Sequence, residues 1–351
     1  VHFGHLEQGT LEAGQTAQAQ VDTQRRQGLR RAHSATHLLH HALQKYLGDQ
    51  AQQRGSKVEA DRLRFDFKQR DAIEPETLES IEAEVRRLVS QGDAVGTQFL
   101  PIEEARKSGA MMLFGEKYPD VVRMVSMGDF SKELCGGTHV GSTADIGPFE
   151  IVSEELVSLG TRRIQALTGE QAREFQTSVE ATAAAVAKEL GCEISQIGAA
   201  VRQQVEQVRA LRKQLSGGAA PGEPEKLPKP TADIAYPELR GMLREVARLL
   251  NVGIADVTER VQSLKAETAK LSEEVAALAS AGEVSVDQLL DTADRSAGVP
   301  VVTVKLPVAN ANFMRQLVDR VRQKSDDSVV VVGAVDGERC QLLVGVSKGL
   351  V

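Results

Sequence analysis

Cysteine is scarce in this chain. Cys135, Cys192 and Cys340 are odd in number and far apart, which argues against a disulfide framework and for a reducing compartment. No apolar run approaches the roughly 20 residues of a membrane span. The opening VHFGHLEQGT has neither the basic nor the apolar segment of a secretory signal. A cytoplasmic protein without a membrane partner is expected, and the missing initiator Met is read as the mark of a fragment. Net charge is −7, so no global positive field advertises nucleic acid. A local patch can suffice, and RRQGLRR at 25–31 is one, read first as a solvated helix entry. No paired carboxylates or Ser–His–Asp set stands out, which leaves no protein nucleophile to propose, and no phosphate loop is present. What is there, 351 residues, suffices for two or three domains with sizeable cores.

Residues 1–24 alternate and carry Gly breaks, which predicts two short strands and a turn, the remnant of a β-rich unit over 1–30. RRAHSATHLLHHALQKYLG has a helical apolar period through Ala32, Ala35, Leu38, Leu39, Ala42, Leu43 and Leu47, stopped by Gly48. RLRFDF at 62–67 alternates as a strand. EPETLESIEAEVRRLVSQG opens with Pro75 and an acidic first turn and ends at Gly92, which predicts a helix. Short strands and loops follow in AVGTQFLP, VVRMVSMG, ELCGGTHV, IGPFEIVSEEL and GTRRIQALTG. Together, 31–168 form one α+β domain.

Composition then changes. Residues 169–292 are helical, rich in Ala, Gln, Glu, Arg and Val, and interrupted by a Pro/Gly linker at 216–230. VAKELGCEISQIGAAV (186–201) lies over VARLLNVGIADVTERV (246–261) at an offset of 60, a duplicated helix–turn–helix. Val257, Val261, Leu264, Leu271, Val275 and Leu278 are spaced mostly by three, four or seven, so long antiparallel, coiled-coil-like arms are expected. Residues 293–351 read strand, helix, strand, strand, with a hairpin about Asp336–Gly337, a small α/β module that stops abruptly.

Four of the seven histidines, His33, His37, His40 and His41, fall within nine residues. Histidines four apart share a helix face, and both His33/His37 and His37/His41 meet that spacing. In ELCGGTHV, Cys135 and His139 flank two glycines that let a tight loop turn a thiolate and an imidazole toward one ion. A helical histidine pair with this Cys–His pair makes a three-nitrogen, one-sulfur set suited to zinc.

RRAHSATHLLHHAL, GSKVEADRLRFDF, LFGEKYPDVVRMVSMGDFSKELCGGTHV and IGPFEIVSEELVSLGTRRIQALTG resemble, in order, the editing domains of alanyl-tRNA synthetases. The same elements recur in the related free-standing deacylases and, more distantly, in threonyl-tRNA synthetase editing domains. The resemblance covers about 1–168. It implies that His33, His37, Cys135 and His139 bind one Zn2+, and it leaves His40 and His41 on the helix's outer face or near RNA. It assigns Thr36, between the helical ligands, to the editing pocket as the hydroxyl that accepts serine and refuses alanine, and matches Gln53 and Ser56 to further pocket positions. Thr36 also reads as a helix-interior hydroxyl bonding back to a carbonyl, and Gln53 and Ser56 as plain loop polarity.

The implied chemistry follows from a selectivity limit. A pocket for alanine cannot strongly reject glycine or serine, so a second site must hydrolyse the wrong ester. Zinc there either lowers the pKa of a water or orients the substrate's amino group or ester. A closed four-ligand zinc is structural, so catalysis needs a water or substrate group to replace or join a ligand. Cys135 as a nucleophile is the rival chemistry. The resemblance further implies the C-terminal half of a synthetase: an upstream ATP-dependent aminoacylation domain, tRNA(Ala) mischarged with Ser or Gly as partner, and C-terminal contacts to tRNA and for homo-oligomerisation. The 60-residue duplication and the lack of a glycine-rich stretch beyond Val351 depart from the family. Two other readings stand beside this one: a free-standing trans-editing deacylase, and a non-catalytic tRNA-binding or oligomerisation module with a structural zinc.

Overall fold

A computed structural model describes residues 4–112, 117–216, 222, 225–231, 233–282, 285–307, 309–336 and 339–351. The chain divides into two compact units, Val1–Gln176 and Thr177–Val351.

In the first unit, residues 4–22 carry no strand, so the expected strand pair is not formed over that stretch. Among the described residues the alternation there finds no partner strand. Helix α1 (Thr23–Leu47) starts instead at Asp22, whose side chain accepts from the Arg25 N–H, and ends at Gly48 with φ 90°. Strands β1 (Gln53–Glu59) and β2 (Arg62–Lys68), helix α2 (Pro75–Gln91), strand β3 (Val95–Pro101), helix α3 (Ile102–Lys107), strands β4 (Val121–Met127), β5 (Ser131–Leu134), β6 (Phe149–Ser158) and β7 (Thr161–Thr168) follow. They pair into two antiparallel sheets, ordered β1-β2-β7-β6 and β3-β4-β5. Residues 113–116, the LFGE of one family-like motif, lie outside the described residues.

One face of the four-stranded sheet packs on α1. Ala32, Ala35, Leu38, Leu39, Ala42 and Leu43 are fully buried against Leu63, Phe65 and Phe67 of β2 and Ile164 and Ala166 of β7. Strand alternation explains the choice of face, because Leu63, Phe65 and Phe67 point in while Arg62, Arg64 and Lys68 stay on the other side. Each large side chain buried here contributes about 1.5–3 kcal/mol. Helix α2 adds Ile81, Val85 and Leu88 to the same core and stops where Gly92 turns left-handed, at φ 69°.

Helix α4 (Gly169–Leu190) carries the chain from one unit to the next. The second unit holds α5 (Ile197–Leu215), α6 (Tyr236–Leu250), α7 (Val257–Gly282) and α8 (Val286–Asp291), then β8 (Val301–Leu306), α9 (Ala311–Lys324), β9 (Val329–Asp336) and β10 (Arg339–Val346). The sequence repeat is a backbone repeat. Helices α4 and α6 end at Leu190 and Leu250, 3₁₀ turns occupy Ile194–Gln196 and Ile254–Asp256, and α5 and α7 begin at Ile197 and Val257. Each step is displaced by the same 60 residues. Gly191 (φ 65°) and Asn251 (φ 56°) fill the matching left-handed caps.

The spacing along α7 is tighter than its apolar residues alone suggest. Buried Thr268 stands between Leu264 and Leu271, so 257, 261, 264, 268, 271, 275 and 278 alternate steps of four and three. The Thr268 hydroxyl is accommodated by the Leu264 carbonyl at 2.9 Å and Gln204 Oε1 of α5 at 3.3 Å. Of the Pro/Gly stretch 216–230, residues 217–221, 223 and 224 lie outside the described residues. In the C-terminal module β8 and β9 run parallel with α9 between them, and β9 and β10 form the expected hairpin, whose connecting Gly337 lies outside the described residues. No helix among the described residues is long and apolar enough to cross a membrane.

Candidate metal centre

Helix α1 presents His33 and His37 one turn apart, and the loop after β5 brings Cys135 and His139 against them. One ligand atom from each of the four lies within 4.8 Å of every other. Cys135 Sγ is 3.5 Å from His33 Nε2 and 3.4 Å from His139 Nε2. A tetrahedral zinc, about 2.0–2.1 Å from nitrogen and about 2.3 Å from sulfur, holds N and S roughly 3.5 Å apart. His37 Nε2 is buried without a hydrogen-bond partner, an orphan that a cation would complete. The residues therefore fit the ion in donor set, spacing and polarity.

The supports behind these rings are specific. His37 Nδ1 stands 2.8 Å from Glu133 Oε2. His139 Nδ1 stands 3.1 Å from Ser34 Oγ, and in the tautomer that donates to Ser34 its Nε2 turns a lone pair toward Cys135. The loop is tied by Arg123 of β4, which donates to the carbonyls of Cys135 at 2.6 Å and Gly137 at 2.8 Å. Arg30 donates to the His139 carbonyl. A Cβ on Gly137 would fall 1.8 Å from His33 Cε1, so glycine is required there for the loop to reach the helix, whereas Gly136 has nothing within 4 Å.

Electrostatics follow from this crowding. Burial works against charge on His37, but the Glu133 carboxylate beside it and the nearby Cys135 sulfur raise its pKa to about 10. Burial likewise opposes the Cys135 thiolate, yet the imidazoles of His139, His33 and His37 gathered around it hold its pKa down to about 3. Glu133 is buried, which disfavours its charge, but His37 and His40 keep its carboxyl well below the usual range. An environment that favours a thiolate beside positive charge also favours a cation held between sulfur and nitrogen.

A cavity of ≈160 Å³ opens beside the cluster, lined by Thr36, Gln53, Ser56 and His40 along with Met111, Glu133 and three of the four ligand candidates. Thr36 is buried and its hydroxyl donates to the Ala32 carbonyl at 2.9 Å, so the back-bonded state expected of a helix-interior Thr and a place on the cavity wall hold together. Gln53 and Ser56 face the same way because β1 bulges between Gln53 and Gly55. Gln53 sits opposite Phe67 and Ser56 opposite Phe65, both on the inward face of β2. Gln53 Nε2 reaches Ser56 Oγ at 3.5 Å.

Two expectations need correction. His40 is not on the outer face: it is 2% exposed and lines the cavity, because the α1 stripe is wide enough to turn it toward Phe65. The basic stretch 25–31 is not simply solvated, since Arg30 holds the metal loop and Arg31 makes a two-pronged ion pair with Asp61 at 2.6 and 2.8 Å. His41, half-buried against Phe130, stays outside the cluster. Glu133 was missed as a contributor, although it lies on β5 only two residues before Cys135.

Residues 122–165 match the family described as the threonyl and alanyl tRNA synthetase second additional domain. Over its whole length the chain is 44% identical to a stretch of the alanine–tRNA ligase of Rhodopirellula baltica, which it covers to 38%. It is 35% identical to those of Bacillus velezensis and Delftia acidovorans, covering 33% of each. The chain thus spans about a third of the length of the curated relatives it matches.

Proposed function

We propose that this chain, homologous from end to end to alanine–tRNA ligases, carries their editing activity: hydrolysis of the ester that joins serine or glycine wrongly to tRNA(Ala). The observation that carries the proposal is the cavity in which Thr36, Gln53 and Ser56 face the His33, His37 and Cys135 corner of the cluster. His33, His37, Cys135 and His139 hold one Zn2+, which supplies Lewis-acid chemistry to the ester. Glu133 and Ser34 fix the orientation of two of those imidazoles. The proton of the Thr36 hydroxyl is committed to Ala32, so Oγ1 offers lone pairs to the hydroxyl of a seryl group. An alanyl methyl leaves them unmatched, at roughly 1–3 kcal/mol. Gln53 and Ser56 form the polar wall across from Thr36.

Similarity that continues through 177–351 favours a ligase over a free-standing deacylase. ATP-dependent charging belongs in this proposal to the part of the ligase outside this chain. Residues 169–292, as helical arms, and 293–351 contact tRNA and support homo-oligomers, and the enzyme works in the cytoplasm. The test is deacylation of Ser-tRNA(Ala), Gly-tRNA(Ala) and Ala-tRNA(Ala), with zinc content measured alongside. The wild type should hydrolyse the first two and spare the third, and Cys135→Ala should lose both zinc and activity. A zinc-loaded, folded wild type without activity would leave a non-catalytic module with a structural zinc.

A further inference from the structure

One cavity side chain has no task in the editing proposal. His40 follows Thr36 by four residues on α1, so the two stand on one stripe of the helix, and both line the cavity. Its ring is held against Phe65, with centroids 5.2 Å apart. Nδ1 lies 3.5 Å from Glu133 Oε1, too long for a full hydrogen bond, and Nε2 has no hydrogen-bond partner among the described residues. A polar atom this deeply buried is normally completed by a partner, and the cavity that His40 lines is the space that can hold one.

The polarity of the vacant partner can be worked out. A carboxylate only accepts, so Glu133 favours the His40 tautomer whose Nδ1 carries the proton, and Nε2 is left with a lone pair. Thr36 Oγ1 is also an acceptor, because its proton goes to Ala32. The stripe therefore offers two acceptors one helical turn apart. An aminoacyl ester of serine carries two donors near one carbon: the side-chain hydroxyl and the α-amino group. With Thr36 matched to the hydroxyl, the α-amino group is the donor left for His40, and the Glu133 carboxylate behind the ring favours its positive form.

We propose that His40 is a specificity-determining residue that accepts a hydrogen bond from the α-amino group at Nε2, so that the cavity selects esters that carry a donor on the α-carbon, as α-amino acids do, over esters that carry none there. This rests on the editing proposal above. The experiment uses the whole chain with zinc and compares kcat/KM for Ser-tRNA(Ala) and Gly-tRNA(Ala) with that for tRNA(Ala) esterified with 3-hydroxypropanoic acid, which replaces the amino group of serine by hydrogen. His40→Leu should lower the rate on both aminoacyl substrates by at least about tenfold and leave their ratio unchanged. It should lower the rate on the 3-hydroxypropanoyl ester by much less, and His40→Gln, which keeps an acceptor, should recover part of the loss. Binding of non-hydrolysable seryl- and 3-hydroxypropanoylamide adenosine gives the same comparison without turnover. An equal loss on all three esters, a change in the serine-to-glycine ratio, or no loss at all would overturn the role of His40. A wild type that hydrolyses none of them would instead overturn the editing proposal, and unchanged zinc content with an unchanged melting curve separates both results from misfolding.

Discussion

In α5 and α7 the buried positions recur every three or four residues, and a displacement of 60 residues carries the start of one helix onto the start of the other. Around the cavity the working residues come from 33–40, 53–56, 111 and 133–139, on a helix, two strands and two loops. The helical pair is built from apolar contacts that neighbouring residues largely specify. The cavity depends on close approach between distant segments and on buried polar groups that must all be matched. Damage should therefore spread differently in the two regions: gradually and locally in the helices, and through the whole constellation at the cluster.

The sharpest way to break that contrast is Gly137→Ala. Its new methyl must displace the His33 ring or the loop. Overpacking and loss of zinc-linked stabilisation together should cost roughly 4 kcal/mol with zinc in excess. Zinc affinity should fall by more than about 100-fold, exceeding the 10–100-fold typical of losing an outer support. Metal titration and urea unfolding measure the two effects. Near-normal zinc binding would show that the cluster tolerates local repacking as the helices do.

Leu264→Ala in α7 is the counterpart. It removes a side chain that is 4% exposed and should cost about 3 kcal/mol. Zinc content and the Cys135 environment should not change, and a loss of zinc in this variant would mean the two regions are coupled. A smaller effect is expected from acid. Glu84 is held at a pKa of about 2, chiefly by its hydrogen bond from Arg87, with Lys45 adding to it. A depressed carboxylate contributes stability above its unfolded value of 4.5 and loses it as pH falls toward about 2. Because Arg87 and Lys45 are half-exposed, the contribution is about 1 kcal/mol. Urea midpoints at pH 5 and pH 3 should therefore fall less steeply in Glu84→Gln than in the wild type.

The smallest effect sharpens the repeat itself. Gly191→Ala places a Cβ at φ 65° and should cost about 1 kcal/mol, whereas Gly191→Asn, the residue its repeat partner uses at 251, should be nearly neutral. Equal costs would mean the two caps differ in more than sequence.

Much of the fold was legible because its signals are local. Gly48 and Gly92 end helices where the apolar period stops, and alternation in RLRFDF yields β2 with its apolar face inward. Residues 4–22 show the limit of that logic, since alternation without a partner strand specifies no sheet. The four candidate zinc ligands lie in two short motifs, where the family resemblance singled them out from a cluster with two possible histidine pairs, but their supports could not be read there. Arg123 acts from a strand whose sequence reads only as apolar alternation, and Arg30 sits in what looked like a solvated patch.

His40 marks the same divide most plainly. The sequence by itself determined the helix that carries it, the period that places Thr36 and His40 on one stripe, and the offset of 60 that repeats the helical pair, because each depends on side chains a turn or two apart. Only the tertiary structure decided that β1 bulges toward that stripe, that Glu133 backs His37 and His40, and that Gly137 must lack a side chain. Those outcomes depend on excluded volume and on buried hydrogen bonds between segments up to about a hundred residues apart, and no local pattern encodes such distances.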